Sequence, residues 1–245
     1  MGVSRKRKGI SFFNILHYRH INSAALDAGA FFTEEKIFYN RIAKAANSST
    51  LLYLFQLLRK QYLQNAEAKA MVTRAWSLTL SQALDFDNYY KFTVVRNPYH
   101  RVLSAFNDKL ATGESTRKAF TSLPGFNDAS PGGFESFVHH LQEDNNVFGN
   151  HHWQPQHSLL IVRPEKFNRI AKVENYASDF AQVLDDLGVL YENKDEFGRI
   201  FPTITKKDYK SEDLAKQFYT SQTQNIIYKL YQKDFDIFKY QKNVI

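Results

Sequence analysis

The sequence predicts an α/β protein built on a central parallel sheet flanked by helices. Three observations lead there. Short aromatic or β-branched runs alternate with longer segments of helical periodicity. Two of those runs are each followed by a short loop carrying a cation and a hydroxyl, and then by a helix. The 245 residues show no internal repeat and no low-complexity linker, which suits one domain, 1–245, with a sizeable core.

Residues 1–20 read as a basic N-terminal arm around Arg5-Lys-Arg-Lys8, because the apolar run after it is too short for a signal peptide. Residues 36–43 read as a strand and 44–48 as a loop. Residues 49–64 read as a helix, since Leu51, Leu52, Leu54, Phe55, Leu58 and Tyr62 form a broad apolar face. Residues 66–83 read as mixed helix around Met71 and Trp76. Residues 91–96 form a core strand through Phe92, Val94 and Val95. Asn97 and Pro98 then cap and open a helix over 98–110. Glycines and prolines make 111–133 an irregular excursion, and Phe134, Phe137, Val138 and Leu141 recur at helical spacing after it. The whole of 111–157 is the segment expected to shape an acceptor site, and its end, 143–157, is a polar loop. A short strand over 168–173 and a helix over 176–187 follow, the helix ending at Gly188. Helices are expected over 211–218 and 221–233.

Composition narrows the function. Hydrophobic residues make up 43% and aromatic residues 15%, as a globular core requires. A net charge of +7 favours an anionic partner. The basic residues are scattered and not striped, so nucleic acid is not the expected partner. The absence of cysteine excludes disulfides and cysteine-ligated metal. No metal is called for by any ligand cluster. No apolar run approaches the roughly 20 residues of a membrane span. Lack of anchor, signal and cysteine reads as a soluble, bacterial-like cytoplasmic protein.

The two strand–loop–helix units carry the chemistry. Lys44 supplies a charge after the first strand. Ala45, Ala46 and Asn47 are small or polar, and Ser48, Ser49 and Thr50 bring hydroxyls to a helix N-terminus, where backbone N–H groups favour an anion. Arg96 ends the second strand, and Arg101 and Ser104 follow on its helix. A guanidinium and a hydroxyl beside a helix start suit a phosphate. Two such sites in one chain suggest one ligand with two separated phosphates, which describes 3′-phosphoadenosine 5′-phosphosulfate (PAPS) better than ATP. Either loop alone also reads as an ordinary capped helix with a surface cation.

Taken in order, the motifs resemble those of PAPS-dependent carbohydrate sulfotransferases, the branch holding the heparan sulfate 2-O-sulfotransferases and the Golgi enzymes acting on glucuronic acid or N-acetylgalactosamine. Tyr39-Asn-Arg-Ile-Ala-Lys-Ala-Ala-Asn-Ser-Ser49 resembles the 5′-phosphosulfate loop, and Val94 to Phe106 the 3′-phosphate motif with Arg96 and Ser104. His151-His-Trp-Gln-Pro-Gln156 resembles the HWxPQ segment of the Golgi enzymes, and Tyr231 to Tyr240 the YxxDFxxFxY ending. The resemblance implies a P-loop-like three-layer sulfotransferase fold, PAPS as donor, adenosine 3′,5′-bisphosphate as product and a carbohydrate acceptor, acidic ones included. It implies that Lys44 to Ser49 hold the 5′-phosphosulfate and that Arg96 and Ser104 hold the 3′-phosphate. It also points to Thr205 and Lys206, in a late basic loop, as nucleotide or acceptor contacts. The acceptor hydroxyl needs a base. The 2-O-sulfotransferases place a histidine between the phosphate motifs, but none lies between Lys44 and Arg96 here. His152, then His151, are the candidates, with a packing role for His152 equally open. Ala45 and Asn47 stand where relatives often carry Thr or Ser. A nucleotide kinase or NTPase, and a non-catalytic binder of anionic glycans, remain as alternatives.

Overall fold

A computed structural model describes residues 27–111, 120–193, 197 and 211–242. The basic arm, part of the 111–133 excursion and the late loop with Thr205 and Lys206 lie outside them. The sheet has four strands in the order β1 (Gly29–Phe32), β2 (Ile37–Asn40), β3 (Tyr90–Val95) and β4 (Arg169–Lys172). β2, β3 and β4 run parallel, and β1 pairs antiparallel with β2. The α/β expectation with a parallel core and flanking helices therefore holds. β1 was not expected. It pairs through a four-residue polar turn, Thr33 to Lys36, and the aromatic pair Phe31-Phe32 before that turn is the hairpin signal the sequence offered.

Side chains alternate across the strands and so build two faces. On one face Phe32, Tyr39, Phe92, Val94 and Ala171 pack against α1 (Asn47–Arg59) and α6 (Tyr176–Asp186). On the other, Phe31 and Phe38 meet Ala75, Leu78, Phe86 and Ile161, from short helices and turns. The stretch read as mixed helix resolves into α2 (Asn65–Met71), a 3₁₀ turn and α3 (Leu80–Leu84). The remaining helices, α4 (Pro98–Phe106), α5 (Pro131–Gln142), α7 (Ser211–Phe218), α8 (Ser221–Leu230) and α9 (Gln232–Phe238), gather around Phe106, Phe134, Trp153 and Tyr219. Asn97 caps α4 by accepting from the Tyr99 N–H at 2.9 Å, with Pro98 at the first position. Gly188, at φ 65°, follows α6 as expected.

Four side chains fix the loops at the carboxyl ends of the strands. Arg101 is fully buried, and it donates to the carbonyls of Ala43 (2.9 Å), Gln154 (2.8 Å) and His151 (3.1 Å). The sequence placed Arg101 one turn before Ser104 and assigned it no ligand. The structure gives it a role, because its guanidinium is committed to these three carbonyls. Asp234 is fully buried and accepts the backbone N–H groups of Gln156 (2.6 Å) and His157 (2.8 Å), and the His157 ring. Tyr231 donates to the Trp153 carbonyl. Glu174 accepts from the Asn97 N–H (2.8 Å) and from Tyr240 Oη (2.9 Å), so it braces the end of β4 against α4. The C-terminal motif and the HWxPQ-like segment thus bind each other.

Removing Arg101 takes the donor from the buried Gln154 carbonyl and from the part-buried Ala43 and His151 carbonyls. Arg101→Ala is expected to cost about 3 kcal/mol or more, and Arg101→Lys to recover little of it because an ammonium cannot span the fork. Urea-denaturation midpoints check this; midpoints equal to that of the unaltered protein would contradict it.

Candidate functional site

β2 ends at Asn40, earlier than the expected residue 43, and the chain turns through 41–46 into α1. Lys44 (φ 67°) and Ala46 (φ 51°) both adopt left-handed backbone conformations. Neither is glycine, and such strain persists only where surroundings enforce it. Here the Arg101 bond to the Ala43 carbonyl and an Arg96 Nη1 bond to the Lys44 carbonyl, at 3.3 Å, hold the turn. Left-handed residues in such turns are found where backbone N–H groups are directed at an anion. No side chain caps α1, whose N-cap is Ala46. The helix start is therefore dressed by backbone N–H groups and keeps its partial positive charge for a ligand.

A pocket of about 1210 Å³ opens at this point. Lys44, Ala46, Asn47, Ser48, Ser49, Arg96, Ser104, His151 and His152 all line it. The two phosphate-type loops and the HWxPQ-like segment, distant in sequence, therefore face one space. Ala45 does not line it: the residue is fully buried and its N–H donates to the Ile42 carbonyl at 3.3 Å. Thr50 also turns inward. Its hydroxyl donates to the Ala46 carbonyl and bonds Tyr176 Oη at 2.9 Å, so it braces the helix start from behind. In the described part of 111–157 only the two histidines line the pocket, because α5 buries Phe134, Phe137, Val138 and Leu141 in the helical cluster.

The pocket is cationic and partly dry. The Lys44 side chain is 13% exposed, and burial lowers its pKa while Asp108 pulls the other way. Arg96 is lowered by burial, with Glu174 opposing. Its loop is fixed by a reciprocal pair with Gln156: the Arg96 N–H donates to Oε1 (2.9 Å), and Nε2 donates to the Arg96 carbonyl (2.8 Å). Burial, then the charges of His151, Lys109 and Lys44, push the His152 pKa down to about 2. His152 is neutral at physiological pH. Its Nδ1 lies 2.7 Å from Asn150 Oδ1, an acceptor, so Nδ1 carries the proton and Nε2 keeps its lone pair. The ring also packs edge-on to Phe120 at 6.1 Å and against His151 at 4.1 Å. Asp108, Lys109, Arg41, Lys69, Arg74 and Trp76 line the pocket too and were not singled out from sequence. Asp108 had one available signal, its position one helical turn after Ser104. The others reach the pocket only through the fold.

Residues 30–241 match the model of a family described as the sulfotransferase family. Carbohydrate sulfotransferase 10 of Rattus norvegicus is 28% identical over 179 residues, 63% of this chain and 48% of that protein. Carbohydrate sulfotransferase 11 of Mus musculus is 27% identical over 175 residues, with 62% and 47% covered. The corresponding protein of Danio rerio is 25% identical over 173 residues, with 62% and 47% covered. The chain spans about half the length of the curated relatives it matches. No solved structure matches it significantly. These relatives are vertebrate proteins, of the branch likened above to Golgi enzymes, and they overturn the expectation of a bacterial-like cytoplasmic protein. Among the described residues no helix is long and apolar enough to cross a membrane. With the family match covering most of the chain, and the motifs that resembled its phosphate loops meeting in one pocket, the chain belongs to the sulfotransferase family.

Proposed function

We propose that the protein transfers the sulfuryl group of PAPS to a hydroxyl of a carbohydrate and releases adenosine 3′,5′-bisphosphate. One observation carries this reading: the uncapped start of α1 with Lys44, and Arg96 after β3 with Ser104 on α4, open into the same pocket. A donor with phosphates at both ends fits two anion sites on one cavity, whereas a single phosphate chain needs only one. The names of the relatives, carbohydrate sulfotransferases 10 and 11, support a carbohydrate acceptor. The net charge of +7 suits an acidic one.

Transfer needs three things from this chain. The donor must be held in line with the acceptor, charge on the departing phosphate must be offset, and the hydroxyl proton must leave. Arg96 and Ser104 hold the 3′-phosphate. Backbone N–H groups around Ala46 to Ser49, with the Ser48 and Ser49 hydroxyls, hold the 5′ end. Lys44 faces the bridging oxygen and neutralises the charge that builds there as the S–O bond to phosphate breaks. The new bond forms between sulfur and the acceptor oxygen, whose proton passes to Nε2 of His152. Asn150 holds that imidazole in the productive tautomer. His151, tilted against it, shields the ring and extends the rim toward solvent.

Lys44→Ala is expected to lower sulfate transfer from labelled PAPS by about 100-fold or more in a folded protein; full activity would sink the assignment. Arg96→Ala is expected to weaken calorimetric affinity for adenosine 3′,5′-bisphosphate by about tenfold or more, and unchanged affinity would refute a 3′-phosphate role. Because His152 stays neutral in the free protein, kcat/KM should show no acid limb from it above about pH 5, although bound donor charge raises the limb in kcat. His152→Gln should cost about 100-fold in kcat. An acid limb in kcat/KM near the ordinary histidine value of about 6.5 would contradict His152 as the base.

A further inference from the structure

Asp108 is a carboxylate set inside a pocket built for anions. It lies on the π-turn Asn107–Ala111 that continues α4, one turn beyond Ser104. Its Oδ2 sits 3.4 Å from Lys44 Nζ and 2.8 Å from Lys109 Nζ. Lys44 is 13% exposed and Lys109 17%, so both ammonium groups are largely withdrawn from water while they share one acceptor. A negative charge there opposes a ligand with several of its own. Its cost is tolerable only if the carboxylate acts when the ligand is absent or leaving.

We propose that Asp108 is a positioning residue that competes with the bound nucleotide for Lys44, holding the lysine charged and in place between turnovers and speeding departure of the bisphosphate product. The proposal rests on the donor reading above. When the 5′ end of the donor sits at the start of α1, Lys44 turns to it and Asp108 keeps Lys109. After transfer the product's 5′-phosphate and Asp108 contend for the same ammonium, so the product is held less tightly than the cationic lining alone would hold it. Two further observations agree with this geometry. Burial raises the Asp108 pKa, but the Lys109 hydrogen bond and the Lys44 charge more than offset it, so the group stays ionised. Asp108 in turn opposes the effect of burial on Lys44.

Asp108→Asn keeps the shape of the site and removes the competing charge. Calorimetry with adenosine 3′,5′-bisphosphate is expected to give about tenfold tighter binding. Steady-state rates with PAPS should show kcat and the donor KM falling together. Asp108→Glu should resemble the unaltered protein. Unchanged or weaker nucleotide binding in Asp108→Asn would overturn the proposal. A ligand-free reading separates it from the donor assignment: in ¹³C NMR of the lysine side chains, Lys44 should titrate at lower pH in Asp108→Asn. If the unaltered protein binds no bisphosphate, the donor reading fails. An unchanged Lys44 titration then removes the Asp108 pairing as well, whereas a lowered one leaves Asp108 as the lysine's resting counter-ion.

Discussion

The site depends on one buried cation. Arg101 leaves α4 and ends among the carbonyls of Ala43, His151 and Gln154. Those atoms belong to the turn after β2 and to the HWxPQ-like segment, so one guanidinium joins three parts of the chain that are distant in sequence. The arrangement works because guanidinium donors are rigid and spread in a plane, so one side chain can meet several loop carbonyls at once. Desolvation lowers the Arg101 pKa, and Tyr231 and Asp234 oppose that shift from nearby. Asp234 simultaneously accepts Gln156 and His157 N–H groups. A buried positive and a buried negative group thus clamp the same loop from its two sides.

This clamp explains how the pocket can hold strain. Lys44 and Ala46 sit in left-handed conformations that a free loop would abandon. The Arg101 bond at Ala43 and the Arg96 bond at Lys44 fix the start of the strained stretch. What that strain produces is a helix start with no side-chain cap, beside a lysine drawn out of water. Both features weaken the protein alone and strengthen an anion complex. The same logic applies to the neutral His152, since the cations that suppress its charge are the ones suited to bind a donor.

The C-terminal motif has a structural meaning that its spacing hides. Tyr231, Asp234 and Tyr240 each end on a backbone or carboxylate group of the site loops: the Trp153 carbonyl, the Gln156 and His157 N–H groups, and Glu174. They are second supports of the pocket and do not line it. This accounts for why the family match runs to residue 241 and does not stop at the last strand.

By itself the sequence determined the elements whose signals are local. The apolar periodicity of α1 and α6, the β-branched run of β3, the Asn97–Pro98 start of α4 and Gly188 were all legible because propensity, capping and left-handed φ are properties of a few neighbouring residues. The motif types at Lys44, Arg96 and Ser104 were legible for the same reason. Local signals were silent on β1, whose strand state follows from pairing with β2, and on the inward turns of Ala45 and Thr50, which packing decides. They were silent on Arg101 too, because a helix-borne arginine beside a serine looks the same whether its fork meets a phosphate or three carbonyls. Only the tertiary structure decided that choice, brought His152 and Asp108 to the lysine, and supplied the desolvation that sets their charge states. Burial and long-range hydrogen bonding are sums over residues far apart in the chain, and no window of sequence contains them.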